Sequence, residues 1–371
     1  MQIRTKISVL CIILANLMPS CLAADSQNYQ ELLCIESQEG SVRHVTTALS
    51  KGADPNKSCD PHFADRTPLI RAADRGHAEI LRHLLAHGGD WTVVDRSGRT
   101  PLLHAAVNGY ADAAKELLVA GAPADAGTTE GGLTALLSAA RKGYWDVLEH
   151  LLEFGAAPNQ RDASRSTPLM WAAQAGGREA VNVLLERGAD PNLVNERRET
   201  ALLMAATTTK AQHYMRRPSP LMQHADCVQA LLAAGAKADR KGPGGLTALM
   251  SAARWSNDTA ILKHLLDAGA AIDLQDDVGR TALMFATYVN FTDGVKFLVE
   301  NGASFSAIQN EDGWTAETIS MELRHDHIRH LFNVWRYNLD WDESKNPFFK
   351  KAEAPPHVRA LWENQDNENE L

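Results

Sequence analysis

The chain has 371 residues, with 37 basic against 46 acidic side chains, a formal net charge of −9 and 6% aromatic residues. That balance excludes a protein held on nucleic acid by a general basic surface. Length alone suggests two or more globular domains, an expectation that an internal repeat overrides.

The first residues form a separate device. Arg4 and Lys6 precede an apolar run from Ile7 to Met18, and Pro19-Ser20-Cys21-Leu22-Ala23-Ala24 follows. A short basic region, an apolar run too short to span a bilayer and small residues at its end describe a secretory signal peptide over residues 1–23. Two alternatives stay open: an uncleaved anchor, and a lipoprotein junction with Cys21 as the lipid-bearing residue, a pattern that Pro19 fits poorly. Loss of residues 1–23 removes Arg4 and Lys6 and no acid, so the charge moves to −11. No later stretch reads as a transmembrane segment. The expected location is periplasmic or secreted.

Residues 27–64 have the apolar spacing of the units that follow, but Glu31-Leu32-Leu33-Cys34 stands where those units open with threonine. The connection from Cys59 to Asp65 is extended. Cys34, Cys59 and Cys227 are the cysteines that remain after residue 23. Export implies an oxidising compartment, so Cys34 and Cys59 are candidates for a disulfide across this first unit. The alternative is two unrelated thiols, because sequence does not supply the geometry a bridge needs. Cys227 reads as a small packed side chain.

From Thr67 onward the chain repeats. Counterpart threonines stand at Thr100, Thr134, Thr167, Thr200, Thr247, Thr281 and Thr315, separated by 33, 34, 33, 33, 47, 34 and 34 residues. Thr-Pro at 67/68, 100/101 and 167/168 fits a helix start, with a capping oxygen and a residue that loses no hydrogen bond. A short alanine-rich helix follows, as in Leu102-Leu103-His104-Ala105-Ala106, and Gly109, Gly143 and Gly176 end it where a left-handed backbone is needed. A second helix carries apolar residues at helical spacing, such as Val147, Leu148, Leu151 and Leu152. Gly-Ala-Asp-Pro-Asn (52–56, 188–192) closes the unit.

This pattern, T-P-L-x-x-A-A-x-x-G and then L-L-x-x-G-A-D-P-N, resembles the ankyrin repeat over roughly residues 27–336. The resemblance implies an all-α fold: an ankyrin-repeat solenoid of helix-turn-helix units with β-hairpin fingers, about eight repeats plus a C-terminal cap. One unit cannot bury both of its apolar faces, so stacked neighbours supply the stability. The organisation expected is an N-terminal capping repeat with an extended finger (27–64), repeats two to eight (65–312), a C-terminal capping repeat (313–336) and a tail (337–371) whose acidic end is too polar to fold. The sixth repeat exceeds the usual spacing by 14 residues. The excess falls in 207–223, with Lys210, His213, Tyr214, Arg216 and Arg217, and reads either as a functional surface loop or as a neutral insertion.

Catalytic patterns are weak. His325, His327 and His330 cluster near Asp326, but on a helix the first two point to different faces, and His83 and His87, which share a face, lack the glutamate of the zinc-protease arrangement. Asp276-Asp277 lies at a finger tip, where solvation is expected. No catalytic residue, cofactor or metal is assigned, and the chain does not read as an enzyme.

In the ankyrin family, partners dock on the concave side formed by finger tips and the exposed side of each first helix. Carried over by position, that surface comprises Arg66, Asp74 and Arg75; Arg96, Ser97, Arg99 and Asn108; Glu130, Arg141 and Lys142; Gln174, Arg197 and Glu199; and Arg254, Trp255, Arg280, Tyr288, Asp312 and Trp314. Its N-terminal half is basic and its C-terminal half aromatic, and Arg, Trp and Tyr dominate binding energy at interfaces. The expected partner is a folded protein with an acidic patch, bound by a chain that is monomeric when free; nucleic acid is not expected. The competing reading is that the arginine stems merely cover apolar neighbours. Exported bacterial ankyrin proteins of this kind resemble immunity proteins that occlude a periplasm-acting toxin such as a lipase, or accessory proteins of an envelope enzyme in peroxide defence. A secreted effector that binds host proteins is the rival class.

Overall fold

The computed structural model describes residues 26–59, 66–127, 132–207 and 223–336. They divide into two compact units, 26–205 with 223–236 and 206–207 with 237–336. The signal segment, the core of the 207–223 insertion, Glu130 and the tail lie outside the described residues.

In the first unit, six helical pairs follow one another: α1 (Ser26–Glu39) and α2 (Val42–Ser50), α3 (Pro68–Arg75) and α4 (Ala78–Ala86), α5 (Pro101–Asn108) and α6 (Ala111–Val119). Then come α7 (Ala135–Lys142) and α8 (Trp145–Glu153), α9 (Pro168–Gln174) and α10 (Arg178–Glu186), α11 (Ala201–Ala206) and α12 (His224–Ala233). The second unit holds α13 (Ala248–Trp255) and α14 (Thr259–Asp267), α15 (Ala282–Tyr288) and α16 (Thr292–Glu300), and the closing pair α17 (Ala316–Glu322) and α18 (Asp326–Arg336).

From α3 onward each first helix starts where the threonine side chain accepts the amide three residues on, as Thr100 does from Leu103 at 3.2 Å and Thr281 from Met284 at 3.3 Å. Such a cap contributes about 1 kcal/mol. At the other end Gly109 takes φ +80°, and a Cβ there would lie 2.7 Å from the Tyr144 ring of the next repeat. The glycine therefore serves both the left-handed backbone and the close approach of a neighbour. Paired alanines such as Ala105 and Ala106 are fully buried, as are the leucines of the second helices, for example Leu117 and Leu151.

The Gly-Ala-Asp-Pro-Asn segment has a clear task in the first unit. Asn56 donates to the Gly88 carbonyl at 2.9 Å and accepts the Asp90 amide at 2.7 Å; Asn159 repeats both bonds with Gly188 and Asp190. Each asparagine thus ties its repeat to the next through backbone groups that would otherwise face water unpaired.

The fingers differ from the β-hairpins expected. Two backbone hydrogen bonds close such a finger, the amides of Asp95 and Asn310 donating to the Arg99 and Trp314 carbonyls at 3.0 Å, and the amides of Gly98 and Gly313 donating back to the Asp95 and Asn310 carbonyls at 2.9 Å. An aspartate or asparagine side chain takes the inner amides, with Asp95 Oδ1 accepting from Ser97 and Arg99. The turn is then satisfied without a ladder, and the one β-bridge among the described residues joins Gly127 and Thr134. Asp276 corrects a second expectation: it is 5% exposed rather than solvated, because it fills this turn position and also holds Arg280.

Cys34 and Cys59 are joined in a disulfide across the first repeat, with Cα atoms 5.4 Å apart. Cys227 is fully buried, and burial pushes its thiol up to about 12. At the far end of the second unit, Phe332 is fully buried, stacks on Phe305 with ring centres 5.2 Å apart and touches Trp335.

Candidate functional site

One register rule positions the variable side chains. With the capping threonine counted as one, the fifth and eighth residues of a first helix lie three apart and share a face. The eighth residue of one repeat then meets the fifth residue of the next: Asp74 with His104 at 3.0 Å, Arg141 over Trp171 at 5.9 Å, and Arg254 over Phe285 at 5.3 Å.

In the first unit this rule builds a neutralised cluster. His104 is 2% exposed, its Nδ1 facing Asp74 and its Nε2 lying 2.9 Å from Asp95. Carboxylates only accept, so the arrangement is satisfied in full when both ring nitrogens carry protons. Arg66 adds an ion pair to Asp74 at 3.2 Å, and Asn108 donates to the same carboxylate at 3.2 Å. The hydrogen bond from His104 is the main reason that the Asp74 carboxyl is held down at about 2. For Asp95 the largest single effect is burial, which raises the carboxyl. The amides of Arg99 and Ser97 together with His104 outweigh it and hold the group below its ordinary range.

The second unit carries a different arrangement. A cleft of about 390 Å³ has Met284, Phe285 and Ile319 at its apolar floor, each under 8% exposed. Tyr288 and Trp314, 62% and 38% exposed, line it as well, and Arg254, Arg280, Asn310 and Asp312 give it polar edges. Arg254 lies between two rings, 4.5 Å from the Trp255 centre and 5.3 Å from that of Phe285. Arg280 covers Phe285 at 4.7 Å and is paired with Asp276 at 2.7 Å. No carboxylate among the described residues lies within ion-pair distance of Arg254.

The site residues expected from sequence therefore part company. Arg254, Arg280, Tyr288 and Trp314 come together in one cleft, with Trp255 stacked beside them. Arg141 and Lys142 line a wider hollow with Tyr110, Tyr144 and Trp145. Arg75, Arg96 and Arg197 are exposed, Arg99 is half-buried, and Arg66 is paired with Asp74. Sequence reasoning missed Phe285, Met284 and Ile319 in the cleft, and His104 with Asp95 in the cluster. A signal existed. Between leucines and alanines that hardly change, the fifth position runs Arg71, His104, Ser138, Trp171, Met204, Ser251, Phe285, Ile319. A position that varies inside a uniform frame is free of the packing constraint that fixes its neighbours.

Among the described residues no group of three or more His, Cys, Asp or Glu side chains is arranged to hold a metal ion. No helix there is long and apolar enough to cross a membrane. The sequence profile described as Ankyrin repeats (3 copies) matches residues 33–129, 117–195 and 249–340, well over half of the chain. The chain belongs to the ankyrin-repeat family. The human SH3 and multiple ankyrin repeat domains protein 2 is 30% identical over 142 residues, which is 38% of this ankyrin chain and 7% of that relative's length. The crystal structure of the human ASB11 ankyrin repeat domain matches with a TM-score of 0.54 and 28% identity, covering 64% of this chain and 99% of that one. Ankyrin repeats bind protein partners, and the fold is a scaffold for protein–protein interaction. 

Proposed function

We propose that this ankyrin protein is exported to the bacterial periplasm and acts there by binding a partner protein with an acidic patch, not by catalysis. The observation that carries the reading is the cleft of the second unit, where Arg254 is held by two aromatic faces and matched to no carboxylate of the described residues. Arginine stacked in this way keeps its edge donors available, and it stands among exposed Tyr and Trp side chains of the kind that anchor interfaces. Export is supported by the leader-like pattern of residues 1–23 and by the Cys34–Cys59 disulfide, which an oxidising compartment maintains.

Within that reading the partner is a toxin delivered into the envelope, such as a lipase, which this protein occludes. The full chain carrying a C-terminal tag is expressed in a Gram-negative host, fractionated, and cross-linked in the envelope fraction. The reading expects recovery in the periplasm without residues 1–23, capture of one partner, and loss of that capture in Arg254→Glu. Cytoplasmic retention sinks the export claim. Capture unchanged in Arg254→Glu sinks the site. Capture of a resident envelope enzyme in place of a toxin moves the protein to the accessory class.

A further inference from the structure

We infer that the second-unit cleft receives one apolar side chain of the partner, aromatic or branched aliphatic, with an adjacent carboxylate laid on Arg254. This rests on the protein-binding reading above and specifies what the partner must present.

The volume comes first. A cleft of about 390 Å³ lies near the lower end of the range of preformed ligand pockets, which suits a side chain and part of its backbone, not a whole domain edge. Its floor is apolar and already well packed, so entry of an apolar group requires no rearrangement of Met284, Phe285 or Ile319. The exposed rings of Tyr288 and Trp314 lose water on contact with such a group.

Charge comes second, and the two arginines are not equivalent. Arg280 donates from Nε at 2.8 Å to Asp276 Oδ2 and pairs with the same oxygen through Nη2 at 2.7 Å, so its charge is matched inside the fold. Arg254 has no such carboxylate among the described residues, and its guanidinium carbon lies over the Trp255 and Phe285 rings. Stacking leaves the guanidinium edge free, and that edge is the part that binds a carboxylate through two parallel hydrogen bonds. Contact with two rings restricts the side chain before binding, so less rotamer freedom is lost when a partner arrives. Asp312, exposed on another edge of the cleft, disfavours a second acid, so a single carboxylate beside the apolar group matches the site.

The test uses the full chain and three capped dipeptides, acetyl-Glu-Phe-amide, acetyl-Gln-Phe-amide and acetyl-Lys-Phe-amide, titrated to 10 mM while the indole N–H signals of Trp255 and Trp314 are followed by NMR. The glutamate peptide is expected to shift both signals and to bind about tenfold more tightly than the glutamine peptide. Arg254→Gln should abolish that difference by weakening the glutamate peptide far more than the glutamine peptide, and Tyr288→Ala should weaken both. Equal binding of the glutamate and glutamine peptides, preference for the lysine peptide, or no shift at 10 mM would each overturn the inference. If the peptides fail to discriminate yet Arg254→Glu still abolishes partner capture, the scaffold reading survives and only this specification falls.

Discussion

Arg66 in the first unit and Arg254 in the second flank opposite ends of a first helix, Arg66 just before the capping Thr67 and Arg254 in the last turn after Thr247, and sequence marks both as partner-binding. Their surroundings differ in what already balances the charge. Arg66 meets Asp74, which His104 and Asn108 also hold, and the ensemble closes on itself. Arg254 meets rings, which orient a guanidinium without neutralising it. A basic residue is available to a partner only where the fold has not already supplied its counter-ion. Counting arginines along a surface cannot make that distinction.

The contrast can be broken most directly at His104. Replacing it with alanine leaves the buried Asp95 carboxyl without its side-chain hydrogen-bond partner and opens a hole beside it, which costs about 3 kcal/mol. Arg254→Gln removes a charge that nothing in the fold depends on, and its stability should stay within about 0.5 kcal/mol of the parent. Urea unfolding of both variants, followed by fluorescence and far-UV circular dichroism, checks this. Similar midpoints for the two would show that the cluster and the cleft are not different in kind.

The Cys34–Cys59 bridge sharpens the contrast from the terminal repeat. It closes a loop of 25 residues in the first unit, for which chain-entropy arguments give about 3 kcal/mol. Cys34→Ser, or addition of reductant, should lower the first unit's transition by that order and leave partner capture through the second unit intact. The buried thiol of Cys227, pushed up to about 12, is not a thiolate that could reshuffle the bridge. Capture lost together with the bridge would place the binding surface on the first unit.

Acid supplies the next largest effect. The Asp74 carboxyl is held at about 2 against an ordinary 3.8, so its contribution is fully present above 3.8 and disappears as pH falls through about 2. A displacement of this size corresponds to about 2 kcal/mol. Stability measured between pH 5 and pH 2 should fall in the parent and fall less in His104→Ala, which lacks the main hydrogen bond to that carboxyl. Parallel curves would remove His104 as the cause.

These contrasts also mark how far the sequence could be read. The period, the capping threonines, the left-handed glycines and the helix pairs are legible because each repeat is a copy that must fit the same neighbour. Cys34 and Cys59 were legible as a pair but not as a bond, since the finger that returns Cys59 to α1 is long. The fingers were read as hairpins because sequence does not show that Asp95 or Asp276 satisfies the turn from within. Phe285 is not singled out by the sequence: a phenylalanine at a helical apolar position looks structural until its ring is found between Arg254 and Arg280. The charge balance of Arg66 depends on Asp74 and, one repeat away, on His104, a contact set by stacking register and invisible in either repeat alone.

The smallest effect concerns finger tips, where the residue at the left-handed position changes from repeat to repeat. Gly279 and Gly313 take φ +82° and +77° in the second unit; at the equivalent place in the first unit Gly98 and Gly132 take φ +70° and +62°, and Arg165 and Arg198 take φ +60° and +63°. A left-handed backbone costs a residue with a Cβ roughly 1–2 kcal/mol. Glycine in the same place loses about 0.5–1 kcal/mol through the greater freedom of its unfolded chain. Arg165→Gly and Arg198→Gly should therefore each stabilise the first unit by about 0.5 kcal/mol, read as a small rise in urea midpoint. The reverse change in the second unit is not its mirror image. A Cβ at Gly279 would lie 2.9 Å from the Cα of Asn310, a backbone atom that cannot swing aside, so Gly279→Arg should cost well over 1 kcal/mol. Arg165 and Arg198 show that a finger tip can hold a side chain at the left-handed position, a Cβ at Gly313 would meet nothing within 4 Å, and the close approach of Asn310 singles out Gly279. Equal penalties for glycine and arginine at both places would show that backbone strain, and not this close approach, governs what a finger tip accepts.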